Sequence, residues 1–159
     1  MEPRAVRRVL VAIDDSEASL RAAEFANEFF AELPVEVLVV NATPVSVSWY
    51  PGARYGIVAP SGWPQPYQFG DASESDRERL LGEAKEHGRH VVDASGIDGD
   101  DTIVDVGDPV EVIRRAADDH DVDLIVVGTS DKGWWGRLLE GSVSNELVKT
   151  AHRPVLVVR

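Results

Sequence analysis

The chain has 159 residues, a formal net charge of −12 and no cysteine. That length suits one domain. The charge excludes a protein that wraps nucleic acid with a basic face. The missing cysteines exclude a disulfide framework and fit a reducing cytoplasm.

The composition, 43% hydrophobic and 28% charged, is that of an ordinary soluble globule. The amino terminus, MEPRAVRRVLVAIDD, has a short apolar run closed by two aspartates and fits neither a signal peptide nor a membrane span. A soluble, cytoplasmic protein without membrane attachment is expected. Only Lys85, Lys132 and Lys149 are lysines among 16 basic residues, which face 28 acidic ones. Such a surface stays soluble at high salt and points to a halophilic origin. An acidic protein from an arginine-rich proteome is the plainer account.

In chain order, Val9 to Ile13 is an apolar run rich in branched residues, the pattern of a strand buried on both faces. Ser16 is placed to cap a helix whose Ala18, Ala22, Phe25, Ala26 and Phe29 recur at helical spacing, ending near Leu33-Pro34. Val35 to Asn41 reads as a second buried strand. Thr43 to Ser73 breaks the pattern with most of the prolines and a run of aromatics, and reads as a long loop insertion that is a functional lid, an interface segment or partly disordered. From Glu74 a charged helix carries Leu80, Ala84 and Val91 on one face. Thr102 to Val106 is a third strand. Asp108-Pro109-Val110-Glu111 starts the next helix, with Asp108 as cap, Pro109 at the first helical position and Glu111 as the acidic half of a capping box. Val112, Ile113, Ala116 and Ala117 form its buried face. Leu124 to Val127 and Val155 to Val158 complete the strands, separated by a helix with Val143, Leu147 and Ala151 on its inner face.

Strand–helix alternation throughout predicts an α/β fold: a doubly wound, mostly parallel five-stranded sheet with helices on both faces. Ligands in such folds sit beyond the carboxyl ends of the strands where the order reverses. The loops after Ile13, Asn41 and Val127 therefore form the expected rim of a site.

The loop after the fourth strand is glycine-rich, as phosphate-holding loops are. Gly128 and Gly133 have the spacing of a Walker loop, but Trp134 and Trp135 stand where lysine and Ser/Thr are required. A dinucleotide fingerprint needs glycines after the first strand, and Ile13-Asp14-Asp15-Ser16 has none. A third pattern remains: Gly128, a gap of twelve residues, Gly141-Ser142 opening a helix, then Arg153-Pro154 and an apolar strand. Together with VLVAIDDSEASLRAAEFA and VDLIVVGTS, it resembles the universal stress protein family over nearly the whole chain except Thr43 to Ser73.

The resemblance implies a strand order of 3-2-1-4-5, and ATP or a related adenine nucleotide as ligand. In the nucleotide-binding branch a G-x2-G-x9-G-[S/T] loop grips phosphates, an aspartate closing the first strand meets the ribose, and backbone after the second strand meets the adenine. Carried over, this makes Asp14, Ala42, Gly128, Thr129, Asp131, Gly141, Ser142, Val143 and Ser144 the nucleotide-site candidates. Asp131 departs from the family pattern, standing where the middle glycine belongs. Aspartate tolerates unusual dihedrals better than most residues. Its charge is the larger difficulty: a carboxylate ~4 Å from a phosphate charge costs about 1 kcal/mol in bulk water and ~4 kcal/mol near a protein surface. Glu140 adds to the repulsion, whereas Lys132, Arg137 and the amides opening the last helix oppose it. A divalent ion such as Mg or Mn, bridging Asp131 to the phosphates, would reverse the sign. The resemblance also implies a homodimer joined through Val155, Leu156, Val157 and Val158, and a bare edge strand invites such pairing.

The histidines His87, His90, His120 and His152 have no metal-binding spacing and are expected at the surface. No triad arrangement surrounds Ser16, Ser142 or Ser144. The resulting expectation is a stress-response regulator and nucleotide-dependent switch with at most slow ATP hydrolysis. The alternative is a nucleotide-free dimeric interaction module that meets a protein partner through Trp134, Trp135 and the long loop. An ATP-using transferase is a distant third, because no base, nucleophile or metal cluster supports it.

Overall fold

The computed structural model describes residues 5–43, 74–129 and 143–159. The elements are β1 (Arg8–Ala12), α1 (Glu17–Phe29), β2 (Glu36–Thr43), α2 (Glu74–Ser95), β3 (Asp101–Val106), α3 (Pro109–Asp119), β4 (Leu124–Gly128), α4 (Val143–Thr150) and β5 (Val155–Val158). The strands form one sheet in the order β3-β2-β1-β4-β5, as expected, and every neighbouring pair is parallel.

The branched runs of β1 and β4, and of β2 from Val37 to Val40, are apolar because helices cover both faces of the sheet. On one face, Val9, Val11, Ile13, Val37, Val39 and Val126 pack against Ala23 and Ala26 of α1, Phe30, and Val92 of α2. On the other, Leu10, Leu38, Val40, Ile125 and Val127 pack against α3 and against Val143 and Leu147 of α4. Leu10, Ile113, Ile125 and Leu147 are completely buried. Each such side chain contributes roughly 1.5–3 kcal/mol by leaving water.

Local rules set several ends. Ser16 caps α1, its side chain accepting from the Ser19 amide. Asp108 caps α3 by accepting from Glu111 N–H at 3.1 Å, with Pro109 behind it. The reciprocal half of the expected capping box is not made: the Glu111 carboxylate takes Arg114 one turn on. At the far end of α3, Asp121 adopts φ 47°, and Val122 N–H reaches Ala117 C=O at 3.0 Å, the closure that usually recruits glycine. At the start of the sheet, Asp123 Oδ2 accepts from the amides of Arg7 and Arg8, which fixes β4 against β1.

Two expectations shift. α1 stops at Phe29, and Phe29 is 57% exposed while Phe30 turns inward at 5%. β2 continues two residues past Asn41, to Thr43. Residues 44–73 lie outside the described part.

β4 ends hard against α1. A Cβ on Gly128 would lie 2.2 Å from the Ala18 carbonyl oxygen and 2.5 Å from its carbon. Backbone cannot yield as a side-chain tip can, so this position admits only glycine. Gly128→Ala is expected to destabilise the protein by about 1–3 kcal/mol, read as a lower urea midpoint. An unchanged midpoint would show that the two elements do not meet this closely.

Candidate functional site

The strand order reverses between β1 and β4. The chain leaves β1 for α1 on one face of the sheet and leaves β4 toward α4 on the other, which opens a crevice at the carboxyl ends of these two strands. Ala12 pairs with Val127, so Ile13 and Asp14 run out beside Gly128 and Thr129. Neighbouring strands lie roughly 4.8 Å apart, which puts Asp14 within reach of anything seated on Gly128.

Asp14 is partly buried and tightly held. Its Oδ1 accepts from Ser16 N–H at 2.9 Å and from Ser16 Oγ–H at 2.5 Å. Its amide donates to Ser19 Oγ at 2.8 Å. Among the described residues Oδ2 accepts from no N–H donor. Burial raises the Asp14 pKa above the ordinary 3.8, against the lowering effect of the Ser16 and Ser19 hydrogen bonds, and the neighbouring Asp15 charge adds to the rise. A half-buried carboxylate whose Oδ2 takes no N–H donor, at a strand-order reversal, suits a hydroxyl-bearing ligand.

The other expected residues divide. Ala42 lies near the end of β2, level with Asp105 of β3, and its methyl is buried in the core. Only its backbone can meet a ligand. Gly128 is at the crevice, but contact with α1 already requires it to be glycine. Thr129 follows, and its amide donates to Val158 C=O at 2.9 Å, so that N–H is committed to the sheet. Val143 and Ser144 open α4 and are buried at 3% exposure each. Asp131, Gly141 and Ser142 lie outside the described residues, as do Lys132, Trp134, Trp135, Arg137 and Glu140. Val155 to Val158 form an edge strand, each residue partly buried.

Ser19, Asn41 and Thr43 were not singled out from sequence, yet they form buried polar contacts behind the crevice. Asn41 Nδ2 donates to Ile13 C=O at 2.9 Å, and Thr43 Oγ–H donates to Asn41 Oδ1 at 2.8 Å. A polar side chain inside the otherwise apolar run of β2 was the available signal. His87, His90 and His152 are exposed, as expected, whereas His120 is partly buried. Among the described residues no three His, Asp or Glu side chains gather as metal ligands. Among the described residues the start of α1 brings negative charge to the crevice, from Asp14, Asp15 and Glu17.

Comparison with known proteins places this arrangement. The sequence model of the universal stress protein family matches residues 5–159. A universal stress protein of Thermus aquaticus is 30% identical over 154 residues, which cover 96% of this chain and 98% of that one. A universal stress protein solved in complex with cAMP superposes with a TM-score of 0.56 at 24% identity, over 98% of both chains. A family member from Arabidopsis thaliana with AMP bound superposes with a TM-score of 0.55 at 20% identity, over 96% of this chain and 90% of that one. The structural likenesses establish the fold, and the sequence matches establish the family: the chain belongs to the universal stress proteins.

The raised Asp14 pKa has a consequence for stability. The folded protein holds this proton more tightly than the unfolded chain does. The penalty of ionising Asp14 is therefore absent below pH 3.8 and grows as pH climbs through the folded-state value. Asp14→Asn keeps an acceptor for Ser16 and removes the charge, so it is expected to be at least as stable as wild type at pH 7. Its advantage should shrink as the pH falls toward 4. Urea titrations across that range check this; an advantage that grew at low pH would contradict it.

Proposed function

We propose that this universal stress protein is a stress-response regulator whose crevice between β1 and β4 binds an adenine nucleotide, ATP or a close relative. The observation that carries the reading is Asp14: a held carboxylate whose Oδ2 takes no N–H donor among the described residues, beside Gly128 and Thr129 where the strand order reverses. In this reading Oδ2 of Asp14 accepts from a ribose hydroxyl, backbone beside Ala42 meets the base, and the segment from Thr129 through Asp131, Gly141 and Ser142 to Val143 and Ser144 runs along the phosphates. The cAMP and AMP complexes of relatives support the choice of base and sugar.

The acidic crevice opposes a polyphosphate. A bound Mg or Mn ion, with Asp131 facing the phosphates, supplies the missing positive charge. Ligand-dependent regulation then follows from differential binding rather than chemistry, since the described residues bring no base and nucleophile together beside Asp14. The edge strand β5 is the dimer seam in this reading, pairing with a second copy. One observation favours the nucleotide-free module: Gly128 is demanded by packing alone, so its presence does not require a phosphate.

Calorimetric titration of ATP at high salt, with and without magnesium, separates the two. Micromolar binding that needs the metal is expected, and Asp14→Ala should weaken it by roughly 10- to 100-fold through loss of a charge-assisted hydrogen bond. No heat up to millimolar ATP, from a folded protein, would sink the nucleotide reading.

A further inference from the structure

The peptide unit between Ile13 and Asp14 is gripped at both of its polar atoms by side chains from other elements. Its C=O accepts from Asn41 Nδ2 of β2 at 2.9 Å, and its N–H donates to Ser19 Oγ of α1 at 2.8 Å. β1 has already ended at Ala12, and Ile13 N–H makes the last ladder bond of this edge, to Val40 C=O. The following peptide would otherwise turn toward water.

Both gripping side chains are themselves fixed. Ser19 is 3% exposed, and its amide donates to Ser16 Oγ, the hydroxyl that also holds Asp14 Oδ1. Asn41 is 4% exposed, and its Oδ1 is occupied by Thr43 Oγ–H. Helix α2 closes over the pair: a Cβ on Gly88 would lie 2.5 Å from Asn41 Oδ1 and 2.6 Å from Thr43 Oγ. A buried amide, two hydroxyls and a glycine thus converge on one peptide and the carboxylate that follows it. An apolar core could fill the same space without them, and fully satisfied buried polar networks serve to hold one geometry.

We propose that Ser19 and Asn41 are positioning residues of the ligand site, clamping the Ile13–Asp14 peptide so that Asp14 presents Oδ2 to a ribose hydroxyl in a fixed place. The proposal rests on the nucleotide reading for its ligand, though not for the clamp itself. A carboxylate held in advance loses no freedom when the ligand arrives, so its hydrogen bond appears in full in the affinity. Gly88 extends the clamp to α2, which gives a helix away from the crevice a mechanical hold on Asp14.

The test compares Ser19→Ala and Asn41→Ala in the wild-type and Asp14→Ala backgrounds, with ATP and 2′,3′-dideoxy-ATP as probes. Each variant is expected to weaken ATP roughly three- to tenfold, the size of one hydrogen bond. Neither should weaken dideoxy-ATP, and neither should weaken ATP further once Asp14 is alanine. Equal losses for both probes, or losses that persist without Asp14, would mean general damage and overturn the proposal. If Asn41→Ala does not fold, Gly88→Ala displaces Asn41 from outside the crevice and should give the same pattern.

Hydrogen exchange of the Asp14 amide, followed by NMR without ligand, reads the clamp directly. At least tenfold faster exchange in both variants is expected, and wild-type exchange would overturn the clamp. Should wild-type protein take no ATP at all, the nucleotide reading fails, and the exchange rates alone then decide the clamp.

Discussion

The backbone of β4 at Gly128 lies against the first turn of α1, with room for no side chain between them. This contact and the register of β1 with β4 together set the shape of the crevice. α1 must begin close beside the end of β4, so Ser16, the cap, and Ser19, one turn into the helix, fall beside Asp14. The same closeness delivers Ser19 Oγ to the Asp14 amide. A bulkier residue at 128 would push α1 outward and draw Ser19 away from the Asp14 amide it accepts from. Glycine here is first a packing residue. Any role beside a phosphate is built on that geometry.

The electrostatics of the crevice follow from its position. Burial disfavours ionised Asp14, Asp15 disfavours it further, and the hydrogen bonds from Ser16 and Ser19 recover part of the loss. Ionising Asp14 therefore costs the folded protein stability, as ionising perturbed carboxyls at functional sites commonly does. A ribose hydroxyl donating to Oδ2 would repay some of that cost, whereas phosphates nearby would not. In the nucleotide reading, phosphates beside Asp14 and Asp15 would need a compensating positive charge that these residues do not supply.

Much of the fold was legible because its signals are local. The apolar runs Val9–Ile13 and Leu124–Val127 demanded burial on both faces, and Asp108-Pro109 marked the start of α3 within one residue. Alternation of strands and helices then left few topologies. The rotation of the α1 end was not legible, because helical periodicity cannot tell that the helix stops at Phe29 and that Phe30 beyond it turns into the core. Asp14 was visible as a polar residue closing a buried strand. Ser19 and Asn41 were not visible in their roles, since both act through contacts across elements. The same holds for Gly128, whose partner Ala18 lies at the other end of the chain.

The most direct measurement is a titration of AMP and of ATP with magnesium into isotopically labelled protein, following backbone amides by NMR. The nucleotide reading predicts the largest saturable shifts at Asp14, Ala42 and Gly128, around the ends of β1, β2 and β4. Shifts absent from these amides, or confined to the exposed Phe29 end of α1, would contradict it.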